Sequence, residues 1–319
     1  MREQETFLDR VLTMETGRCT EAAAVAASTL IGRGDRHGAD QAAVTALREA
    51  FNKLDIDGTV VIGEGERDEA PMLFIGEKVG TGRGPRIDIA LDPLEGTDLT
   101  AKAMGGALAV IALATGGAML HAPDTYMDKI AIGPGYPDGV VDLDRPVEDN
   151  IHALAKAKGV APADMTLCVL ERPRHDHIVE AARRVGARVF LISDGDVAGV
   201  IHTTDPSTGI DMYVGQGGAP EGVLAAAALR CVGGQMQGRL VFRNADEKAR
   251  AAKAGITDLN RKYGLTDLCG GDVIFAATGV TNGMLLDGVK WEPGYINTHT
   301  VIMRSKTGTV RSIRARSRR

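Results

Sequence analysis

The sequence predicts an α/β protein of layered sheets and helices. Two patterns carry this prediction: short runs rich in β-branched residues, which are typical of strands, and longer stretches whose apolar residues recur at helical spacing. Hydrophobic residues make up 44% of the 319 residues, enough to bury a substantial core. Because helices and strands mix in two blocks, we expect two subdomains, residues 1–165 and 166–319, with a soft boundary.

The first block begins with helices and continues with strands. Apolar residues recur at helical spacing through residues 3–31 and again through 40–54, and a break rich in glycine separates the two stretches. Short apolar runs then predict strands. These strands are expected at residues 58–62, 86–91 and 107–113.

The second block alternates strands and helices and ends in a hairpin. Strands are predicted at 165–170, 188–192 and 210–214, the last leading into a glycine cluster, and helices at 178–185 and 220–231. The hairpin consists of strands 300–304 and 309–313 around a turn at 306–308.

The composition excludes several classes of protein. Glycine is abundant, with 40 residues, but shows no three-residue period, so the chain is not a collagen. A net charge of −5 and an aromatic content of 4% argue against a nucleic-acid binder. The N-terminus lacks the apolar core of a signal peptide, and no apolar run has the length of a membrane helix. We therefore expect a cytoplasmic enzyme whose four scattered cysteines are reduced.

A basic C-terminal segment is the main argument for a different function. Residues 304–319 contain seven arginine and lysine residues and no acidic residue. Segments of this kind also occur in proteins that bind nucleic acids or anionic surfaces. Since Val310 and Ile313 lie among the basic residues, we interpret part of the segment as an edge strand that its charges protect from wrong pairing.

Acidic residues next to glycine predict the functional site, and one segment is the most informative. In Asp92-Pro-Leu-Glu-Gly-Thr97 we expect a strand to end at Asp92, Pro93 to turn the chain, and Glu95 to fold back toward Asp92. Gly96 permits an unusual backbone conformation, and Thr97 offers a hydroxyl at a helix start. Two carboxylates, a backbone carbonyl and a hydroxyl are suitable ligands for a hard cation such as Mg²⁺.

Further carboxylates occupy similar positions. They lie after predicted strands or at the starts of predicted helices, where α/β folds place their sites. Glu221 begins the helix 220–231, and the dipole of a helix favours an acid there. The other pairs are Asp35 with Asp40, and Glu64 with Glu66.

The Asp92–Thr97 motif resembles the signature of the lithium-sensitive, metal-dependent sugar phosphatases, and the chain resembles a class II fructose-1,6-bisphosphatase from about Arg33 to the C-terminal hairpin. This resemblance implies a sugar-phosphatase fold of alternating α-β-α-β-α layers, with a metal-binding subdomain followed by a substrate-binding one. The other stretches that carry it are residues 32–35, 61–66, 68–72, 75–82, 122–126, 173–176, 194–196 and 217–221.

The resemblance also implies roles for individual residues. Thr97 would lie beside the attacking water, with Asp40 and Glu64 as further catalytic residues. The family commonly has Gly-Asp-Lys where this chain has Gly34-Asp35-Arg36, and the role of Arg36 stays open because arginine and lysine differ in geometry. Two or three Mn²⁺ or Mg²⁺ ions would be held by Asp40, Glu64, Asp92, Glu95 and Glu221.

The substrate side is predicted from cations and hydrogen-bonding groups that follow strands. Arg172 and Arg174, on either side of Pro173, match a second phosphate, since guanidinium groups fit phosphate oxygens. We interpret His175 and His177 as surface residues rather than zinc ligands. The remaining predicted substrate contacts are Glu95, Gly96 and Thr97, the phenol of Tyr126, Asp194, Gly195 and Asp196 toward sugar hydroxyls, and the amide of Gly218.

The expected reaction is hydrolysis of the 1-phosphate of D-fructose 1,6-bisphosphate, a step of gluconeogenesis. The same metal site would serve sedoheptulose 1,7-bisphosphate as an additional substrate, or inositol monophosphate as the alternative one. Arg172 and Arg174 favour a substrate with a second phosphate. The resemblance also implies a homo-oligomer, either a dimer or a tetramer, without nucleic-acid or membrane partners.

Overall fold

The computed structural model describes residues 12–65 and 72–319, which form two compact units. Unit 1 combines the described residues up to Leu120 with Cys269–Arg319, and unit 2 is His121–Leu268. Each unit contains a sheet with packed helices, so the predicted α/β class is confirmed. Residues 3–11 of the first predicted helix, like Glu66, lie outside the described residues.

The helices follow the apolar periodicity of the sequence. They are α1 (Leu12–Ser28), α2 (Arg36–Phe51), α3 (Thr97–Ala101), α4 (Val147–Lys158), α5 (Asp176–Arg184), α6 (Asp196–Ile201), α7 (Ala219–Val232), α8 (Ala245–Lys253) and α9 (Leu265–Leu268).

The strands belong to two separate sheets. They are β1 (Asp57–Ile62), β2 (Lys78–Val79), β3 (Arg86–Glu95), β4 (Leu108–Thr115), β5 (Tyr126–Ile132), β6 (Thr166–Leu170), β7 (Arg188–Ile192), β8 (Met212–Gly218), β9 (Gln235–Val241), β10 (Lys262–Gly264), β11 (Val273–Gly279), β12 (Lys290–Glu292), β13 (Tyr295–Arg304) and β14 (Thr309–Arg318).

Unit 1 is organised around an eight-stranded sheet with the order β12-β13-β11-β4-β3-β1-β2, in which β14 pairs with β13. β1 and β3 are parallel, and Ile62 pairs with Ala90. The carboxyl ends of β1 and β3 therefore reach the same edge of the sheet. Glu64 follows β1 at this edge, and Asp92 lies two residues beyond Ala90.

Helix α1 packs closely against β11 and β13 because the residue at the contact, Gly17, has no side chain. A Cβ atom at Gly17 would lie 2.8 Å from the Cδ1 atom of Ile302. Next to Gly17, the hydroxyl groups of Thr20, Thr278 and Thr300 form a buried chain with oxygen–oxygen distances of 2.7 and 2.8 Å. This chain of hydrogen bonds joins the helix to two strands of the sheet.

Unit 2 has a six-stranded sheet, β10-β9-β5-β8-β6-β7, with helices on both faces. Side chains of successive residues in a strand point to opposite faces. On β5, Ile130 belongs to a buried cluster with Ile178 of α5. On the opposite face, a Cβ atom at Gly222 of α7 would lie 2.7 Å from the Met127 sulfur. Strand β5 is therefore covered by a different helix layer on each side.

The division into units differs from the expected one at residue 165. The chain leaves the first sheet after β4 and returns to it with β11, so unit 1 is not continuous in sequence. Sequence patterns show where elements begin and end, but not which sheet a late strand joins. We also did not predict several elements: β5, α4, β9, α8 and β11.

The basic segment forms the predicted edge strand. β14 pairs with β13 along its whole length, and two of its arginines have acidic partners in unit 1. Arg314 forms an ion pair with Asp287, and Arg316 pairs with Glu292 at 3.1 Å while stacking on the Tyr295 ring. Among the described helices, none is both long and apolar enough to cross a membrane.

We expect the Thr278→Val substitution to lower the free energy of unfolding by about 1–3 kcal/mol, because it removes the central hydroxyl of the buried chain. Unfolding in urea measures the loss. Thr257→Val changes an exposed threonine and is the matched control, with an expected effect within about 0.5 kcal/mol. Equal unfolding free energies for the two variants would contradict a stabilising role of the chain.

Candidate active site

The acidic segment at Asp92 is a bulge inside a strand rather than a turn after one. β3 continues to Glu95, and its register with β4 shifts between Asp92 and Glu95. Pro93 explains the interruption, because proline has no N–H to donate to the ladder. The prediction that the strand ends at Asp92 is therefore wrong.

The bulge places the two carboxylates on one face of the sheet. Residues three apart in a regular strand point to opposite faces, and one extra residue reverses this. Asp92 pairs with Val110 and Glu95 with Leu108, which are two residues apart and so share a face of β4. The Leu94 N–H donates to Asp92 Oδ1 at 3.0 Å, and Glu95 is buried.

Gly96 and Thr97 form the predicted helix start. Gly96 has a φ of 85°, in the left-handed region, and α3 begins at Thr97. The left-handed backbone favours glycine at this position, and a Cβ atom there would also lie 2.9 Å from the Leu99 Cδ1 atom. Thr97 is half-buried immediately after the Asp92–Glu95 bulge.

The charge of Asp40 reaches Glu64 in unit 1. Asp35 fixes the start of α2, because its carboxylate accepts a hydrogen bond from the Gly38 N–H at 2.8 Å. Burial raises the pKa of Glu64 to about 8, and the negative charge of Asp40 adds to the shift. Burial also raises the pKa of Asp40, whereas His37 lowers it. Half-buried carboxylates that repel each other favour a bound cation.

Arg36 joins the starts of the two helices next to these acids. Its guanidinium donates to the Asp98 carboxylate at 3.0 Å, and both side chains are about half exposed. This contact ties α2, which carries Asp40, to α3, which begins with Thr97. The structure thus gives the position a local role that does not depend on the lysine common in the family.

Four predicted metal ligands lie in unit 1, but they do not form a complete site. Among residues 12–65 and 72–319, no three His, Cys, Asp or Glu side chains are close enough to hold a metal ion together. The donor chemistry nevertheless suits a hard divalent cation, since the neighbouring groups are carboxylates. The assignment of Asp40, Glu64, Asp92 and Glu95 as ligands stays a prediction.

In unit 2, a buried lysine holds one of the residues predicted to bind the sugar. Lys129 is 1% exposed, and its Nζ atom donates to the Asp196 carboxylate and to the Gly218 carbonyl at 2.9 Å. The Tyr213 hydroxyl donates to Asp196 at 3.4 Å. Asp196 is thus engaged within the protein. A lysine directly before the apolar run Ile130-Ala-Ile132 was the sequence signal for this ion pair, and we did not use it.

Glu221 folds back over the end of β8. It lies in the first turn of α7, as predicted, and a Cβ atom at Gly218 would be 1.8 Å from its Oε2 atom. Burial raises the pKa of Glu221 and Asp196 adds to the shift, whereas Lys129 opposes it. The Oε2 atom is buried and makes no hydrogen bond within the described chain. β8 includes the glycine cluster, so Gly218 ends a strand instead of lying in a loop.

Two arginines stack on Tyr126. The guanidinium carbons of Arg174 and Arg243 lie 5.0 and 4.4 Å from the centre of the Tyr126 ring. Arg243 also pairs at 2.5 Å with Glu247, whose carboxylate is buried. We did not predict Arg243, although it follows strand β9 as the predicted arginines follow β6. Its position after a strand was the available signal.

The other predicted substrate residues follow the strands β6 and β7. Arg172 donates to the Glu171 carbonyl at 2.9 Å, and Pro173 begins a short 3₁₀ turn. Asp194 accepts a hydrogen bond from the Gly195 N–H at 3.1 Å, and Gly195 has a φ of 85° at the start of α6.

His175 is not the surface residue that we expected. It is buried, with Nδ1 2.7 Å from the Leu170 carbonyl, and its Nε2 atom accepts a hydrogen bond from the Gln216 N–H at 2.8 Å. Only a neutral ring that carries its proton on Nδ1 satisfies both contacts. Since Arg174 donates to the Gln216 carbonyl at 2.8 Å, the ring fixes the segment that carries this arginine.

Comparison with known proteins identifies relatives over almost the whole chain. Residues 10–317 match a family described as bacterial fructose-1,6-bisphosphatase, glpX-encoded. The fructose-1,6-bisphosphatase 1 class 2 of Escherichia coli K12 is 45% identical over 320 residues, which cover 96% of this chain and 95% of the relative. The class 2 fructose-1,6-bisphosphatases of Escherichia coli O6:H1 and Shigella flexneri show the same identity and coverage.

We expect Lys129→Met to lower the free energy of unfolding by about 3–5 kcal/mol, because the buried Asp196 carboxylate loses its cation. The double variant Lys129→Met/Asp196→Leu should recover part of this loss. Lys78→Met removes an exposed ion pair and is the control, with an expected loss below about 1 kcal/mol. If urea unfolding gave similar losses for Lys129→Met and Lys78→Met, the ion pair would have no special role.

Acid is expected to destabilise the protein partly through His175. Burial lowers the pKa of this ring below its ordinary 6.5, so its contribution to stability is complete above pH 6.5 and decreases as the pH falls below that value. His175→Gln should therefore lose less stability than the wild type between pH 7.5 and 5.5 in urea unfolding. His177→Gln, at an exposed position, should keep the wild-type dependence. The same dependence in all three proteins would refute the assignment.

Proposed function

Because the chain belongs to the bacterial, glpX-encoded fructose-1,6-bisphosphatase family, we infer that it hydrolyses the 1-phosphate of D-fructose 1,6-bisphosphate to give fructose 6-phosphate and phosphate. The feature of the structure that best supports this reaction is the bulge that presents Asp92 and Glu95 on one face, directly before Thr97. Its motif also supports our proposal that the chain is one of the lithium-sensitive sugar phosphatases.

Enzymes of this family depend on a metal. We propose that Asp40, Glu64, Asp92 and Glu95 hold Mg²⁺ or Mn²⁺ and that Glu221 is a further ligand, with two or three ions in all. Carboxylate oxygens are the ligands that these cations prefer, and the buried Oε2 atom of Glu221 has no competing hydrogen bond from a described residue. When bound, the ions supply positive charge that activates a water molecule and stabilises the transferring phosphoryl group.

The chain itself orients the water. The left-handed conformation of Gly96 places Thr97 at the start of α3, directly after the bulge. We propose that the Thr97 hydroxyl hydrogen-bonds the attacking water. Asp40 and Glu64 accept its proton, and Asp40 lies close enough to raise the pKa of Glu64.

Residues of unit 2 select the substrate. Arg174 and Arg243 carry two guanidinium groups on the Tyr126 ring, and Arg172 lies two residues before Arg174. We propose that this group holds the phosphate that does not react, because guanidinium pairs match phosphate oxygens. Asp194, Gly195, Asp196 and Gly218 stay the predicted contacts of the sugar. The homo-oligomer and the cytoplasmic location also stay predictions.

We expect Thr97→Ala to lower kcat by about 10²–10⁴-fold with little change in KM, because the water loses the group that orients it. Thr97→Ser keeps the hydroxyl and should restore most of the activity. The measurement is phosphate release at saturating Mg²⁺ or Mn²⁺. Full activity of Thr97→Ala would remove this residue from the mechanism.

The choice of substrate is tested with fructose 1,6-bisphosphate, sedoheptulose 1,7-bisphosphate and inositol 1-phosphate. We expect metal-dependent release from the fructose ester that EDTA abolishes, and little release from inositol 1-phosphate. Arg243→Ala should raise KM for fructose 1,6-bisphosphate by about tenfold, because one charge-assisted contact to phosphate is lost.

The matched control for Arg243 is Arg261→Ala. Arg261 likewise stacks on a tyrosine, Tyr263, and pairs with an acid, Asp267. An equal rise of KM in both variants would indicate that Arg243→Ala acts through a general loss of stability and not through a lost contact with phosphate. Release from inositol 1-phosphate alone would agree with the proposed metal ligands but contradict the proposed site for a second phosphate.

A further inference from the structure

A cavity of about 610 Å³ lies within unit 2, on the face of the sheet that α4 and α5 cover. Asp128 and Val214 from the sheet and Ile178 and Ala181 from α5 are part of its lining. Pockets that hold small organic ligands have about this size, roughly 300–1,000 Å³. Within the described residues, Arg174 is the one predicted substrate contact that reaches it.

The lining is rich in arginine. It contains Arg145, Arg174, Arg184 and Arg239, and two of them are neutralised locally. Arg184 pairs with Glu148 at 2.5 Å and Arg239 with Asp144 at 2.7 Å. Arg184 and Arg239 are therefore balanced by carboxylates. Arg145 and Arg174 have no such partner among the described residues.

Arg145 and Arg174 have backbone carbonyls, not carboxylates, as their hydrogen-bond acceptors. Arg145 donates to the Val140 carbonyl at 3.2 Å, and Arg174 donates to the Gln216 carbonyl at 2.8 Å. Throughout residues 12–65 and 72–319, no acidic side chain lies within ion-pair distance of either guanidinium group. The remaining carboxylate of the lining, Asp128, accepts a hydrogen bond from the Gln216 side chain at 2.9 Å.

Part of the lining is apolar. Ile130, Leu143, Ile178 and Val214 line it, and all four also belong to or pack against the buried cluster under α4 and α5. An inorganic ion alone would leave this surface exposed to water. The combination of an apolar wall and two arginines without acidic partners suits a ligand with both characters.

We propose that this cavity binds a small organic anion. Its phosphate, sulfonate or carboxylate group would meet Arg145 and Arg174, since guanidinium groups bind such oxyanions well. Its apolar or aromatic body would cover Ile130 and Ile178. Because Arg174 also stacks on Tyr126, an occupant would compete for this arginine and weaken binding of the sugar bisphosphate.

Binding is tested with anilinonaphthalene sulfonate, an aromatic anion that fluoresces in apolar surroundings. It is titrated into the full-length enzyme with Mg²⁺ and without substrate or products, so that Arg174 is available to the probe. We expect one saturable site per chain. Arg145→Glu and Ala181→Trp should each weaken binding by about tenfold or more, because the first reverses a charge and the second fills the cavity.

Two control variants keep the test specific. Arg183→Glu makes the same charge change on α5 outside the cavity lining, and Ala157→Trp adds the same bulk at an exposed position of α4. Both should bind the probe like the wild type. Absence of saturable binding, or unchanged binding in Arg145→Glu and Ala181→Trp, would overturn the proposal.

The effect on the reaction is measured separately and rests on the proposed function. The probe should raise KM for fructose 1,6-bisphosphate in the wild type but not in Arg145→Glu, whose own kcat should stay normal. An unchanged KM with confirmed binding would overturn the competition for Arg174. An enzyme without phosphatase activity that still binds the probe would refute the proposed function and leave the binding site standing.

Discussion

The missing N–H of Pro93 is the constraint on which the acidic edge depends. A ladder between β3 and β4 has to skip this position, and the strand does so by bulging instead of ending. The bulge turns the Glu95 side chain to the face of the sheet on which Asp92 lies. Because β1 runs parallel to β3, Glu64 leaves the sheet at the same edge. One absent hydrogen-bond donor thus determines how several carboxylates are presented.

Unit 2 contains a buried ion pair in its apolar interior. Lys129 lies in the middle of β5, where a cation without a partner would be very costly, and Asp196 at the start of α6 compensates it. The same lysine nitrogen binds the carbonyl of Gly218, directly before the helix that carries Glu221. One buried ion pair therefore holds together β5, the start of α6 and Gly218 at the end of β8.

Local patterns in the sequence were enough to predict most helices and strands and the start of α3 at Thr97. They were not enough where the outcome depends on a partner strand. A proline after a strand suggests a turn, and only the pairing of Glu95 with Leu108 shows that β3 resumes. The burial of His175 was hidden for a similar reason, since one of its two backbone partners, the Gln216 N–H, belongs to β8, 41 residues away. Charged residues after strands were informative, but Arg243 shows that this pattern has to be applied to every strand.

The insertion of unit 2 into unit 1 has a consequence for the order of events during synthesis. β11 lies between β4 and β13 in the sheet, yet all of His121–Leu268 leaves the ribosome before it. The unit in the middle of the chain is therefore the first whose residues are all available for folding. Until β11 emerges, the apolar strand Leu108–Thr115 has one unpaired edge, and this is the period in which a nascent chain is most exposed to pairing with a neighbour.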